Sequence, residues 1–380
     1  MRSSRFDSAL GRTLEGARRV VTRAAASLDR GVVRWTEEGL RPRRRDASGA
    51  RQDRARRTRE GIVELAAAYG AGTLALPSPF FPTPEPASLE LTARGAGPEG
   101  SRVYDLAQPS AYLPYWAPAR DAYLRFRENL TAHARWWRGP RSAHGRPRPL
   151  IVTLHGWRAG AHWVSERVFE TSYWLHHGFD VVAFQLPFHG RRTPAEHASG
   201  ALFPGRDLAR TNEAFGHAIH DLRALVSALR ADHGVAQVGA LGMSLGSYVT
   251  ALWASVTDDL DFAVATIPAV AMPSLMLRER ERSAQGRAAR RDGVDEALLA
   301  EVFAVHSPLA RPPRLPAERL FVIAGDGDRV TPAEQAEALI QHWRCASHWF
   351  AGGHLAQLGR HQALREARLR LLRQGIGEGK

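Results

Sequence analysis

From residue 149 onward the apolar positions form short continuous runs separated by longer amphipathic stretches. "PLIVTLH" (149–155), "FDVVAFQL" (179–186), "RLFVIA" (319–324) and the segments 236–243, 262–267 and 347–351 each predict a strand buried on both faces. Segments 164–177, 208–233, 245–256 and 332–343 carry apolar residues at helical spacing, and 362–373 predicts a closing basic helix. Strands of this kind alternating with helices predict an α/β fold, a mostly parallel twisted sheet covered by helices on both faces. Upstream, 88–95 ("SLELTARG") predicts a strand and 120–137 a helix. Segment 272–313 breaks the alternation and predicts a lid-like insertion over the strand ends, with a helix-like patch at 294–305. Its Met272, Leu275, Met276 and Leu277 suit either an apolar acyl pocket or the inner face of a lid helix.

The first residues follow a different pattern. Phe6, Leu10, Leu14, Ala17, Val21, Ala24, Leu28, Val32 and Trp35 step by three or four, predicting an amphipathic helix with Arg12, Arg19, Arg23, Arg30 and Arg34 off the stripe. Segment 41–59 holds 9 Arg and reads as a linker, 60–69 as a second helix, and Pro77–Pro86 as neither helix nor central strand. The division expected is therefore 1–60 (basic helix and linker), 61–87 (short helix and Pro-rich connector) and 88–380 (the catalytic domain).

Charge sharpens this division. Residues 1–60 hold 17 Arg against 8 acids, a net of +9, so 13 − 9 leaves +4 for the rest. Such an arm suits an anionic membrane surface or the phosphates of nucleic acid, but its simplest role is packing on the catalytic domain or on a second copy. Nucleic acid is disfavoured: no DNA-binding motif is present, and Phe6 and Trp35 lie too far apart to stack on adjacent bases. The first arginines are not followed by an apolar run, which predicts no secretory signal, and 62–76 is too short to span a bilayer. The one cysteine, Cys345, reads as core filler and fits a reducing, cytoplasmic compartment. The sequence assigns no oligomeric state.

Four predicted strand ends carry chemistry, where α/β sheets place their sites. Gly242-Met243-Ser244-Leu245-Gly246 sits between a strand and a helix, as a nucleophile on a tight turn requires. His155-Gly156-Trp157 ends another strand and offers a backbone N–H to an oxyanion. "AGDGDRVTP" supplies an acid to orient an imidazole, with Asp328 preferred and Asp326 the alternative; "AGGHLAQ" supplies His354. The pairs His176-His177 and His217-x-x-His220 lack companions at zinc spacings, so no metal is expected.

In the order Ser244, Asp328, His354, with "LHGW", "GMSLGS", "GDGDRVTP" and "GGH", residues of about 88–375 resemble the α/β-hydrolase fold serine hydrolases of esterase and lipase type. "FQLPFHGRR" also resembles the loop after the fourth strand of many esterases, but Phe188-His189-Gly190 lacks the usual first glycine and preceding Asp, so His189 reads as structural or supporting. The resemblance implies Ser-His-Asp acyl transfer from a small-molecule ester or thioester, without metal or organic cofactor. Leu245 and Trp157 would donate to the oxyanion, and His155, Gly156 and Met243 would border the substrate. A peptidase of the same fold, or a non-catalytic interaction protein built on it, are the alternative readings.

Overall fold

The computed structural model describes residues 18, 20–27, 29, 48–76, 78–140, 147–282 and 294–377. Nine strands form one sheet in the order β1-β2-β3-β5-β4-β6-β7-β8-β9. These are β1 Glu90–Ala96, β2 Arg102–Pro109, β3 Thr131–Arg138, β4 Leu150–Leu154, β5 Asp180–Phe184, β6 Val238–Met243, β7 Phe262–Thr266, β8 Leu320–Gly325 and β9 Ala346–Phe350. From β5 through β9 every neighbouring pair is parallel; β1, β2 and β3 add an antiparallel extension at one edge.

The central parallel strands β4 to β8 are mostly apolar because both faces are covered, whereas the edge strand β9 is half-buried and carries Ser347 and His348. In β4, Leu150, Val152 and Leu154 enter the main core, while Ile151 enters a second core on the opposite face. The main core receives the helices Leu208–His233 and Leu245–Val256; the second receives Arg360–Arg373.

Segment 120–137 departs from the helix that its composition predicts. It forms a short helix, Arg120–Leu124, a turn at Arg127–Leu130, and then β3. Period two decides the matter: Ala132, Ala134 and Trp136 face the main core, and Trp137 faces the other. β3 then has partners on both sides, β2 from Arg102↔Arg138 to Pro109↔Thr131 and β5 from Ala134↔Phe184 to Trp137↔Val181. The helix expected at 164–177 is two, His162–Val168 and Thr171–His176, broken at Glu170 with φ +52°.

The arginine-rich stretch also differs from expectation. From residue 48 it is not a linker but part of one helix, Ser48–Tyr69, which crosses the expected boundary at 60/61. Ile62 and Tyr69 fix its far end in the main core, and the Tyr69 hydroxyl donates to Glu213. Once anchored, a helix extends cheaply into arginines, which are good helix formers. Residues 41–47 lie outside those described.

The amphipathic helix expected over 6–35 falls within the described residues only at 18, 20–27 and 29, all helical. Its inward face is rotated from the expected stripe, of which Val21 and Ala24 are described: Ala24 is exposed and Val21 half-buried, whereas Ala25, Ala26 and Asp29 are buried. Val20, off that stripe, is 67% exposed. Small side chains let this helix lie close to the body, and among its described residues Arg18 and Asp29 tie it there by hydrogen bonds. In the 272–313 segment, Met272–Arg282 and Glu296–Phe303 are helices, with Met272, Met276 and Leu277 packed on the main core. Among the described residues, no helix is long and apolar enough to cross a membrane.

Candidate active site

The parallel strands end on one edge of the sheet, and the turns beyond β4, β6, β8 and β9 carry the residues with chemistry. β6 stops at Met243 and the helix Leu245–Val256 begins at once, leaving Ser244 as the sole hinge at φ +55°, ψ −114°. That left-handed backbone is costly for a residue with a Cβ and persists only where its surroundings impose it. They do: Ser244 N donates to Thr266 O at 3.0 Å, and Ser244 O accepts from Ser247 N at 3.0 Å and Tyr248 N at 3.2 Å. The two flanking glycines are there for approach. A side chain on Gly246 would collide with the Leu154 carbonyl, and one on Gly242 with Gly246. Met243 is partly exposed and leans on the second core.

The turn after β4 lies beside this hinge, with the Cβ direction of Gly156 pointing at Ser244 Cβ, 3.5 Å away. Leu245 is the first residue of its helix, where a backbone N–H has no intrahelical acceptor. Among the described residues, the Trp157 N–H also meets no acceptor. Trp157 is 38% exposed, and its Nε1 donates to Gly200 O at 2.7 Å.

His155 and His189 brace this turn from beneath. His155 Nε2 accepts the Leu186 N–H at 3.1 Å, so its Nδ1–H donates to Gly156 O at 2.9 Å. Burial pushes the His155 pKa down to about 4, with the bond to Gly156 opposing only in part, so the ring is neutral. His189 is fully buried, takes the Arg158 N–H at 3.3 Å and gives Nδ1–H to Pro187 O at 2.8 Å; burial lowers its pKa well below the usual histidine value. Phe188 stands where the resemblance has a glycine, and it holds φ +61°. Its ring is buried between Tyr123 and Phe126, and its N–H reaches Asn129 Oδ1 at 2.8 Å, which together offset the strain.

On the other side, Asp328 and His354 meet. Asp328 Oδ2 accepts His354 Nδ1–H at 2.8 Å, and Thr331 Oγ1 lies 2.9 Å from the same oxygen and 3.2 Å from Nδ1. Asp328 Oδ1 accepts Val330 N at 2.9 Å and Thr331 N at 2.8 Å. Thr331 Oγ1 also donates to Ile267 O at 3.1 Å, tying this loop to the end of β7. With Nδ1 engaged by a carboxylate, Nε2 is the ring atom left to accept a proton. Asp326 turns elsewhere, onto Arg18 Nη2 at 2.7 Å. No hydrogen bond joins Ser244 Oγ to His354 among the described contacts.

The chain is 30% identical over 293 residues, 75% of its length, to the uncharacterized protein MT2702 of Mycobacterium tuberculosis, of which it covers 68%. A family described as alpha/beta hydrolase fold matches residues 149–308. The chain belongs to the alpha/beta hydrolase superfamily. Two solved structures share the fold at 15% identity. Acetyl xylan esterase 1 of Thermoanaerobacterium sp. JW/SL YS485 aligns with TM-score 0.51, covering 81% of this chain and 98% of that one. The acetyl xylan esterase of Paenibacillus sp. R4 aligns with TM-score 0.52, covering 89% and 98%.

Within this alpha/beta hydrolase, sequence reasoning missed Thr331 and Asp29. Thr331 had a signal, since a threonine three residues after an aspartate in a turn can return its N–H and hydroxyl to that carboxylate. Asp29 had none; it lies far away in the chain, and its carboxylate takes the backbone N–H of His354 at 2.7 Å. Cys345 is partly buried, and burial pushes its thiol pKa up to about 12, which suits packing rather than nucleophilic chemistry. Among the described residues, no cluster of His, Cys, Asp and Glu could hold a metal.

Proposed function

We propose that the protein is a serine hydrolase that cleaves carboxylic esters or thioesters through an acyl-enzyme. The observation that carries this reading is Ser244, held at φ +55° between β6 and its helix, with Asp328 and His354, beyond the ends of β8 and β9, paired at 2.8 Å. In this scheme His354 Nε2 takes the Ser244 Oγ proton while Oγ bonds to the carbonyl carbon. The carbonyl oxygen becomes an oxyanion, held by the N–H groups of Leu245 and Trp157, each worth about 2.7–4 kcal/mol in the transition state. The C–O bond to the leaving alcohol then breaks, and the alcohol takes the proton from His354. Water attacks the acyl-enzyme with His354 again as base, releasing acid and restoring Ser244. Leu275, half-buried on the helix Met272–Arg282, would contribute apolar surface to an acyl chain.

The test is turnover of a p-nitrophenyl ester panel of graded acyl length, together with fluorophosphonate labelling. Ser244→Ala should lose about 10⁴-fold or more in kcat and all labelling while keeping its thermal unfolding midpoint. A Ser244→Ala variant with wild-type turnover sinks the assignment. A wild-type chain that is neither labelled nor active favours the non-catalytic interaction reading.

A further inference from the structure

The N-terminal helical residues lie against the two loops that carry Asp328 and His354. Asp29 is fully buried there. Its Oδ2 accepts the N–H of His354 at 2.7 Å and of Arg329 at 3.2 Å, and its Oδ1 accepts that of Leu355 at 3.2 Å. One carboxylate therefore holds the residue after Asp328, the histidine itself and the residue that follows it. Gly353 fits this contact, since a Cβ there would run into the Asp29 carboxylate. On the same helix Arg18 Nε donates to Asp326 Oδ2 at 2.8 Å and its Nη2 to Trp349 O at 3.0 Å.

We propose that Asp29 is a positioning residue that clasps the acid loop to the histidine loop, so that the N-terminal helix takes part in building the active site. The proposal rests on the hydrolase reading above. The His354 ring is fixed at one end, through Nδ1, by Asp328; its backbone is fixed at the other by Asp29. Bonds from N–H groups to a carboxylate are stronger than those to a neutral acceptor. Removing Asp29 leaves three backbone donors without their partner and frees the loop on which the ring rides.

The experiment uses the full chain with Asp29→Ala, the near-isosteric Asp29→Asn, and Val20→Ser on the outer face of the same helix as control. Three quantities are measured: kcat and KM on a p-nitrophenyl ester, hydrogen exchange at the amides of His354, Leu355 and β6, and thermal unfolding. A misplacement of about 1 Å costs up to about a hundredfold, so Asp29→Ala should lose about ten- to a hundredfold in kcat. KM should stay within about twofold, the sign of an interaction made in the transition state. Exchange should quicken at His354 and Leu355 but not in β6. Asp29→Asn keeps one acceptor oxygen and should fall between, and Val20→Ser should match wild type. Unchanged exchange at His354 and Leu355 overturns the clasp; equal quickening in β6, or faster loop exchange at wild-type kcat, overturns the positioning role. Absence of both turnover and Ser244 labelling in the wild-type chain removes only the hydrolase reading, and the exchange comparison still decides whether Asp29 holds the loop.

Discussion

The two halves of the candidate site are held in different ways. The serine half is local: β6, one strained residue and a helix, wedged against the β4 carbonyl by a glycine that has no room for a methyl group. The acid and histidine half is assembled from afar, with Asp328 and His354 on separate loops and the carboxylate of Asp29, 300 residues from Arg329 and 325 from His354, closing over both. A site half made of adjacent residues is rigid because its elements are continuous with the sheet. A half made of distant loops depends on each cross-link between them.

The largest effect that would sharpen this contrast is on the acid. Asp328→Asn should lower kcat about 10⁴-fold by setting the wrong imidazole tautomer, whereas Asp326→Asn, whose carboxylate faces Arg18 rather than His354, should stay within about threefold on a surface pair of this kind. Steady-state kinetics on an ester checks both; equal losses would assign the acid wrongly. Next comes the local half. Gly246→Ala should cost about 3 kcal/mol or more, because the collision is with backbone that cannot rotate away; denaturant unfolding measures it, and a neutral result would show that the elbow is looser than its geometry.

A smaller effect separates the halves by pH. Burial holds His155, beneath the turn after β4, at a pKa of about 4 against an ordinary 6.5. Between those values the unfolded chain takes up a proton that the folded ring refuses, so stability is full above about pH 6.5 and falls as pH drops toward about 4. Buried His217 (about 4) and His306 (about 3) act in the same direction. Thermal melts from pH 7.5 to 4.5 should show the fall, and His155→Gln should make it shallower by about one proton; an unchanged slope would place a charged His155 in the fold. The smallest effect belongs to Arg18→Ala. Its ion pair with Asp326 is half-exposed, so the loss in stability should be no more than about 1 kcal/mol, well short of the effect of Asp29→Ala on kcat. The reverse ranking would move the clasp from Asp29 to Arg18.

The sequence made the parallel strands legible because strands buried on both faces form nearly continuous apolar runs, and it made the turn at Ser244 legible because its glycines and serine are neighbours. The helices Leu208–His233 and Leu245–Val256 run over the expected residues. It misread β3, where Trp136 and Trp137 inside a charged stretch resemble a helix until strands on both sides impose period two. It also misread the inward face of the N-terminal helix, where an apolar stripe was expected and Ala25, Ala26 and Asp29 turn inward instead.

What the sequence determined by itself is therefore the parallel strands, the helices Leu208–His233 and Leu245–Val256 and the glycine-flanked turn at Ser244, since each is written in a local pattern along the chain. Only the tertiary structure decided that Asp328 rather than Asp326 meets His354, and that Asp29 closes over both loops. Those choices depend on which donors and acceptors meet across hundreds of residues, and the free energy of a hydrogen bond is set by distance in space, of which separation along the chain is no measure.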